Sequence, residues 1–222
     1  MGKRGPKPKG KVKLTWSANF AYALGLLVTD GSVSKDGRHI TFVSKDEEQL
    51  MNFMKALCIK VPISETNSGY TEQKVTRLQF SDTLFNSFLK DVGIRSNKTK
   101  IIGKVDLPPE FFFDFLRGHL DGDGCVFSYW DKRWKSSFMF FTTFVSASKE
   151  HVDWLRQEIA DRLMIQGHIA TTKNGTVFQL RYAKGDSLKL WKAMYYPKAL
   201  CLSRKRLKIQ GILAILSRQD KT

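Results

Sequence analysis

Ala18 to Val28 is an almost unbroken apolar run. Ser17 ahead of it is a good N-cap, and a helix apolar on every side has to be buried. The run ends at Thr29-Asp30-Gly31, where Gly31 suits a helix terminus. A polar stretch follows. Its Asp36-Gly37 pair suits a tight turn, and Arg38 to Val43 then reads as a strand. From Glu47 to Cys58, Leu50, Phe53, Met54 and Leu57 recur at spacings of three and four, which predicts an amphipathic helix. Ser64 to Phe80 reads as a hairpin turning at Asn67-Ser68-Gly69. On its return strand Val75, Arg77 and Gln79 face one way, and Thr76, Leu78 and Phe80 the other. Thr83 to Leu89 is a further helix.

The order then repeats. Pro108-Pro109 opens a helix, and Phe111 to Leu120 is apolar up to Asp121-Gly122-Asp123-Gly124. A strand pair spans roughly 125 to 146, and Lys149 to Leu163 is amphipathic. Gly167 to Tyr182 forms a hairpin turning at Lys173-Asn174-Gly175, with Gln179 and Arg181 on one face of its return strand. Helices at Ser187 to Met194 and Lys205 to Ser217 finish the chain. Gly25 aligns with Gly118 and Gly31 with Gly124 at one offset (118 − 25 = 93; 124 − 31 = 93). The expected fold class is therefore α+β: two αββαββα units, residues 15–103 and 104–222, forming a pseudo-twofold monomer with two antiparallel sheets. Residues 1–14, rich in Lys, Gly and Pro, read as a basic flexible tail.

Charge narrows the function. Lys and Arg number 37 against 21 Asp and Glu, giving +16 and a pI near 9.8. That is the footprint of a nucleic-acid binder, although a ribosomal-type, membrane-surface or merely basic protein shares it. Cys58, Cys125 and Cys201 are far apart, so no C-x-x-C metal pair exists. No apolar run reaches a membrane-spanning length, and no secretory signal is visible. An intracellular protein, cytoplasmic or organellar, is expected.

The two apolar helices end in matched chemistry. A glycine inside a helix costs about 0.5–1 kcal/mol relative to Ala, so Gly25 and Gly118 need a reason, and close helix–helix approach is one. Helices packed side by side and parallel would bring Asp30 and Asp123 out together. Paired carboxylates repel, bind divalent cations, and suit metal-assisted phosphodiester hydrolysis. Either Asp alone reads as a turn residue; the pair reads as catalytic. Asp121, matched by Val28, reads as structural or as a support behind the metal-binding pair. His119 reads as packing at the helix interface.

Ala23-Leu24-Gly25-Leu26-Leu27-Val28-Thr29-Asp30-Gly31 and Leu116-Arg117-Gly118-His119-Leu120-Asp121-Gly122-Asp123-Gly124 both resemble the LAGLIDADG signature of homing endonucleases, single-chain type. The resemblance implies a monomer whose two sheets form a saddle on double-stranded DNA. It implies cleavage of both strands of a long site, leaving 3′ overhangs, with two or three Mg2+ ions for which Mn2+ can substitute. It makes Asp30 and Asp123 the acidic metal ligands, with the carbonyls of Thr29 and Gly122 beside them, and Lys98 and Lys205 the basic residues near the scissile phosphates. Some relatives also position water with a Gln or Asn from the first hairpin. The matching places here, Phe42 and Ser146, do not fit.

Strand alternation nominates Arg38, Arg77, Gln79, Gln179 and Arg181 for the major groove, where Arg pairs with guanine and Gln with adenine. Ser32, Ser34, Lys35, Asn67, Tyr70, Lys74, Tyr129, Lys132, Arg133, Lys135 and Lys173 are candidates for bases or phosphates. The unlike halves imply an asymmetric target. An RNA maturase that assists intron splicing, or a DNA-binding protein without catalysis, are the competing readings, and the two retained acids argue against both.

Overall fold

The computed structural model describes residues 10–68, 71–134, 137–172 and 174–219. It is α+β, with seven α-helices and two four-stranded antiparallel sheets among the described residues. The helices are α1 (Ala18–Asp30), α2 (Glu47–Leu57), α3 (Thr83–Asp91), α4 (Phe112–Asp121), α5 (Lys149–Leu163), α6 (Lys184–Met194) and α7 (Ser203–Gln219). The strands are β1 (Gly31–Val33), β2 (His39–Ser44), β3 (Ile63–Ser68), β4 (Thr71–Ser81), β5 (Cys125–Trp130), β6 (Phe138–Ser146), β7 (His168–Thr171) and β8 (Phe178–Ala183). The sheets run β1-β2-β4-β3 and β5-β6-β8-β7, so the second repeats the order of the first.

Register repeats too. Phe42 stands opposite Leu78, and Phe144 opposite Leu180, at an offset of 144 − 42 = 102. α1 and α4, with the strands that follow them, keep 93, so the β5–β6 hairpin is longer than β1–β2 by 102 − 93 = 9 residues. Each sheet turns alternate residues (Ile40, Phe42, Leu78, Phe80; Phe140, Phe144, Leu180, Tyr182) into one core shared with the helices. Pro108-Pro109 does not start an α-helix directly: Pro109–Phe111 forms a 3-10 turn, and α4 begins at Phe112.

Ser17 caps α1 as its sequence suggests, its Oγ accepting from Phe20 N at 3.1 Å. Every residue from Phe20 to Val28 is buried. Residues 1–9 of the basic segment lie outside the described residues. Its last part is anchored: the amides of Lys11 and Val12 donate to Asp82 Oδ2 at 2.6 and 2.9 Å, and Val12 is buried. Asp82 also caps α3 through Phe85 N at 2.9 Å. No helix among the described residues is long and apolar enough to cross a membrane.

Candidate active site and nucleic-acid interface

Helices α1 and α4 touch backbone to backbone. A Cβ on Gly25 would lie 2.1 Å from the Phe115 carbonyl oxygen, and one on Gly118 would lie 2.1 Å from that of Tyr22. These contacts map onto each other at the offset of 93, which is the mark of a pseudo-twofold. The helix ends converge accordingly: a Cβ on Gly122 would meet Thr29 Oγ1 at 1.9 Å and Asp30 Oδ2 at 2.9 Å. Glycine is needed at 25, 118 and 122 because a neighbour's atoms occupy the space of a side chain.

Asp30 and Asp123 emerge where the helices meet. Burial pushes the Asp30 carboxyl up to about 6, with the charge of Asp123 adding to the effect; hydrogen bonds from Gln49 and Thr29 and the charge of Lys205 oppose it. Asp123 is more open to solvent, yet desolvation by the surrounding protein raises it as well, against the charges of Lys205 and Lys98. Neither carboxylate forms an ion pair among the described residues. Two neighbouring carboxylates without an ion-pair partner, beside backbone carbonyls, are a hard-oxygen set that suits Mg2+ or Mn2+. No cluster of three ligating side chains occurs among the described residues. A Mg2+ site made of one or two carboxylates and completed by substrate phosphates needs no third.

Lys98 and Lys205 converge on these ends although their offset is 205 − 98 = 107. The extra 107 − 102 = 5 residues lie in the connection that carries Lys205. Lys98 Nζ donates to the Gly31 carbonyl. Lys205 Nζ donates to that of Gly124 at 2.8 Å, the matched glycine, and also reaches the carbonyls of Leu120, Asp121 (2.9 Å) and Gly122 (3.3 Å). Burial lowers both ammonium groups to about 8, against the pull of Asp123 and Asp30 on Lys98 and of Asp121 on Lys205. Both lysines are thus held by backbone at the base of the carboxylate pair. Lys205→Met leaves the α4 carbonyls without their donor, and at about 1–3 kcal/mol for each orphaned buried group the loss should reach about 2–4 kcal/mol. Lys98→Met removes fewer contacts and should cost less. Urea unfolding of both variants checks the order.

Asp121 is structural, as its mismatch with Val28 suggests. It accepts from Tyr22 Oη (2.8 Å), Tyr195 Oη (3.3 Å) and Leu202 N (2.7 Å), and so fastens the segment leading to Lys205. Arg117, fully buried, ties the same segment through the carbonyls of Met194 (2.7 Å) and Leu200 (2.8 Å) and pairs with Asp114. His119 packs against His151 with ring centroids 5.3 Å apart, and burial holds both below the usual histidine range.

Sequence reasoning missed Gln49. Its Nε2 donates to Asp30 Oδ2 at 2.8 Å, and its Oε1 accepts from Ser44 Oγ at 2.9 Å. Phe42, the position set against it in sequence, is core and stacks on Phe53 at 4.4 Å. The residue matching Gln49 in the second unit (49 + 102 = 151) is His151, turned to the Gly103 carbonyl at 2.7 Å. A polar residue on the buried stripe of α2 was the available signal: Gln49 is buried in line with Phe53 and Ala56.

The outer faces of the sheets hold the four strand residues nominated for the major groove on β4 and β8. Gln79 stands opposite Thr41, and Arg77 opposite both Val43 and Ser64; Arg181 and Gln179 stand opposite Thr143 and Val145. Arg181 donates to Gln179 Oε1. Arg38 is exposed but precedes β2 with the parity of the core residues Ile40 and Phe42, so it does not stand in the row of Arg77 and Gln79. Ser32 is exposed on β1, with Ser34 half-buried and Lys35 exposed just beyond it. Asn67 pairs in register with Lys74, whose ammonium lies 3.0 Å from Glu65. Tyr129 is exposed on β5, and Lys132 and Arg133 are exposed in the loop after it. Tyr70, Lys135 and Lys173 lie outside the described residues.

The chain has the fold of LAGLIDADG homing endonucleases. It superposes on the LAGLIDADG homing endonuclease I-GzeII in complex with its DNA target with a TM-score of 0.60, at 12% identity, covering 92% of each chain. A variant of the homing endonuclease I-DmoI in complex with its target DNA, in the presence of 2 mM Mg, matches with a TM-score of 0.52 at 14% identity, over 80% of this chain and 95% of that one. Full-length DUF199/WhiA from Thermatoga maritima matches with a TM-score of 0.57 at 17% identity, over 93% of this chain. The chain spans 63% of the length of that protein. No protein-family model and no curated protein matches the sequence.

Proposed function

We propose that this chain is a site-specific endonuclease that hydrolyses both strands of duplex DNA with the help of divalent cations. The observation that carries the reading is the convergence of Asp30 and Asp123 at the ends of two helices held together by Gly25 and Gly118. Its support from other proteins is the shared fold with homing endonucleases in complex with target DNA. Fold alone does not fix activity, so the reading stands on the carboxylate pair.

Asp30 and Asp123, with the carbonyls of Thr29 and Gly122, would hold Mg2+ or Mn2+. When bound, the cation supplies an activated water and neutralises charge on the phosphate. The chain's own residues do the rest. Gln49 orients the Asp30 carboxylate and favours its charged form. Lys98 and Lys205 place positive charge beside the pair, where a phosphodiester in reaction gathers negative charge. The two sheets present Arg77 and Gln79 on one side and Gln179 and Arg181 on the other. The order of the two residue types is reversed, which fits an asymmetric target bound by one chain. Cleavage leaves 3′ overhangs if the strands are cut across the minor groove, as the family resemblance implies.

Proton and cation compete for Asp30. Protonation as pH falls through about 6 removes the ligand, so the cleavage rate should fall below that pH by about tenfold per unit. Raising the Mg2+ concentration should move this limb to lower pH. A limb that ignores Mg2+ would assign it to another group. The reading itself is tested by incubating the protein with a randomised duplex library and Mg2+ and sequencing new ends. Recurrent paired breaks support it, and bound but unbroken duplexes count against it.

A further inference from the structure

The two sheets carry matched positions of opposite chemistry. Ser32 pairs with Thr41 in the first sheet and Cys125 with Thr143 in the second, and both threonines belong to the row that holds Gln79 and Arg181. Moving along the strands, Ser34, whose amide donates to the His39 carbonyl at 2.9 Å, is matched by Phe127 opposite Phe141. Asp36 is matched by Tyr129. Where the first hairpin and its turn show hydroxyls, imidazole and carboxylate, the second sheet shows aromatic rings.

These rings are not core. Phe127 is 52% exposed and Tyr129 41%. With Phe141, Thr143, Val145 and the Gln179–Arg181 pair they line a groove of about 490 Å³. Exposed apolar surface of this kind marks a binding site. The rings pack on one another: Phe127 and Tyr129 are 5.6 Å apart, and Tyr129 and Phe141 are stacked at 6.3 Å and 15°. Rings engaged with one another in this way form a continuous apolar patch on a sheet face whose polar residues suit the major groove of a duplex. The one apolar group a base pair offers in the major groove is the thymine 5-methyl.

We propose that the rings on the outer face of the second sheet recognise thymine 5-methyl groups, so that one half of the target is read by apolar contact beside the hydrogen bonds of Gln179 and Arg181, and the other half by hydrogen bonds without such contact. The inference rests on the duplex-DNA reading above and deepens it. Arg181 and Gln179 flank the rings and tie this face to the same row as Arg77 and Gln79.

The test is a binding selection from a randomised duplex library, with Ca2+ in place of Mg2+, on the full chain and on Phe127→Ser, Phe141→His and Phe127→Leu. The first two variants install the residues of the first sheet, and Phe127→Leu keeps an apolar contact. Thymine preference should vanish in Phe127→Ser and Phe141→His at particular positions and persist in Phe127→Leu. At those positions, deoxyuridine in place of thymidine should weaken wild-type binding by roughly fourfold per methyl, the scale of one buried carbon. Deoxyuridine elsewhere should change little. Unchanged affinity for the uracil duplex, or the same base preference in all variants, overturns the proposal while leaving duplex recognition intact. Enrichment of single strands or RNA over duplex overturns it together with the duplex reading.

Discussion

If the proposed reaction holds, Asp30→Asn and Asp123→Asn should each remove cleavage, by about three orders of magnitude or more, while leaving DNA binding intact, because each would delete a ligand of the proposed cation. The substitutions should also leave a mark on stability. A carboxyl whose folded pKa lies above its unfolded value keeps a proton that the unfolded chain has released. Its stability is therefore fullest at low pH and declines as pH rises from about 4 through about 6. Asp30→Asn removes that decline. In the absence of metal the variant should match the wild type near pH 4 and melt at a higher temperature at pH 8. Asp123 is raised in the same direction, and Asp123→Asn should behave likewise. Activity lost as stability is gained is the pattern of a site strained for function. A variant that loses activity and stability together would point to a structural role. Single-turnover cleavage and calorimetry at the two pH values separate the cases.

The second large effect is at the helix contact. Gly25→Ala and Gly118→Ala would each press a methyl group to 2.1 Å from a backbone carbonyl oxygen of the opposite helix. Backbone cannot rotate away as a side chain can, so the helices must separate. The cost should be about 3 kcal/mol or more, at the upper end of overpacking. Gly211 provides the control. It lies within α7 and has nothing within 4 Å of its would-be Cβ, so Gly211→Ala should stabilise by roughly 0.5–1 kcal/mol through helix propensity. Opposite signs for one chemical change, measured by urea unfolding, would locate the constraint in the α1–α4 contact.

What the sequence made legible follows from how local each signal is. The apolar runs of α1 and α4, their interior glycines and terminal Asp-Gly pairs are written within a few residues. The same holds for the alternation of β4 and β8, and for the constant offset that exposes the duplication. Gln49 was hidden because its meaning is not local. Only when α2 docks beside the end of α1 does a glutamine on its buried stripe reach Asp30. The sequence match that pointed to Phe42 and Ser146 also failed to follow the hairpin lengths: the offset moves from 93 in α1 and β1 to 102 in β2, α2 and β4, and Ser146 is the counterpart of Ser44, not of Phe42. Arg38 was grouped with Arg77 and Gln79 although it shares the parity of Ile40 and Phe42; it is exposed because it lies in the turn before β2. Phe127 and Phe141 were not nominated for DNA since hydrophobicity alone assigns such residues to the core. Their exposure appears only once the sheet has a covered and an open face. Arg117 and Asp121 lie inside a signature helix, yet they fasten the segment that delivers Lys205.

The central claim is that Asp30 and Asp123 act as one metal-dependent hydrolytic centre on a bound duplex. The most direct measurement is to trap the protein on a selected duplex in Ca2+, add Mg2+, and follow both labelled strands in a single turnover. Breaks in both strands inside the bound footprint, absent with Asp30→Asn and Asp123→Asn, are the predicted result. A footprint that stays occupied and unbroken in Mg2+ and in Mn2+ would contradict it.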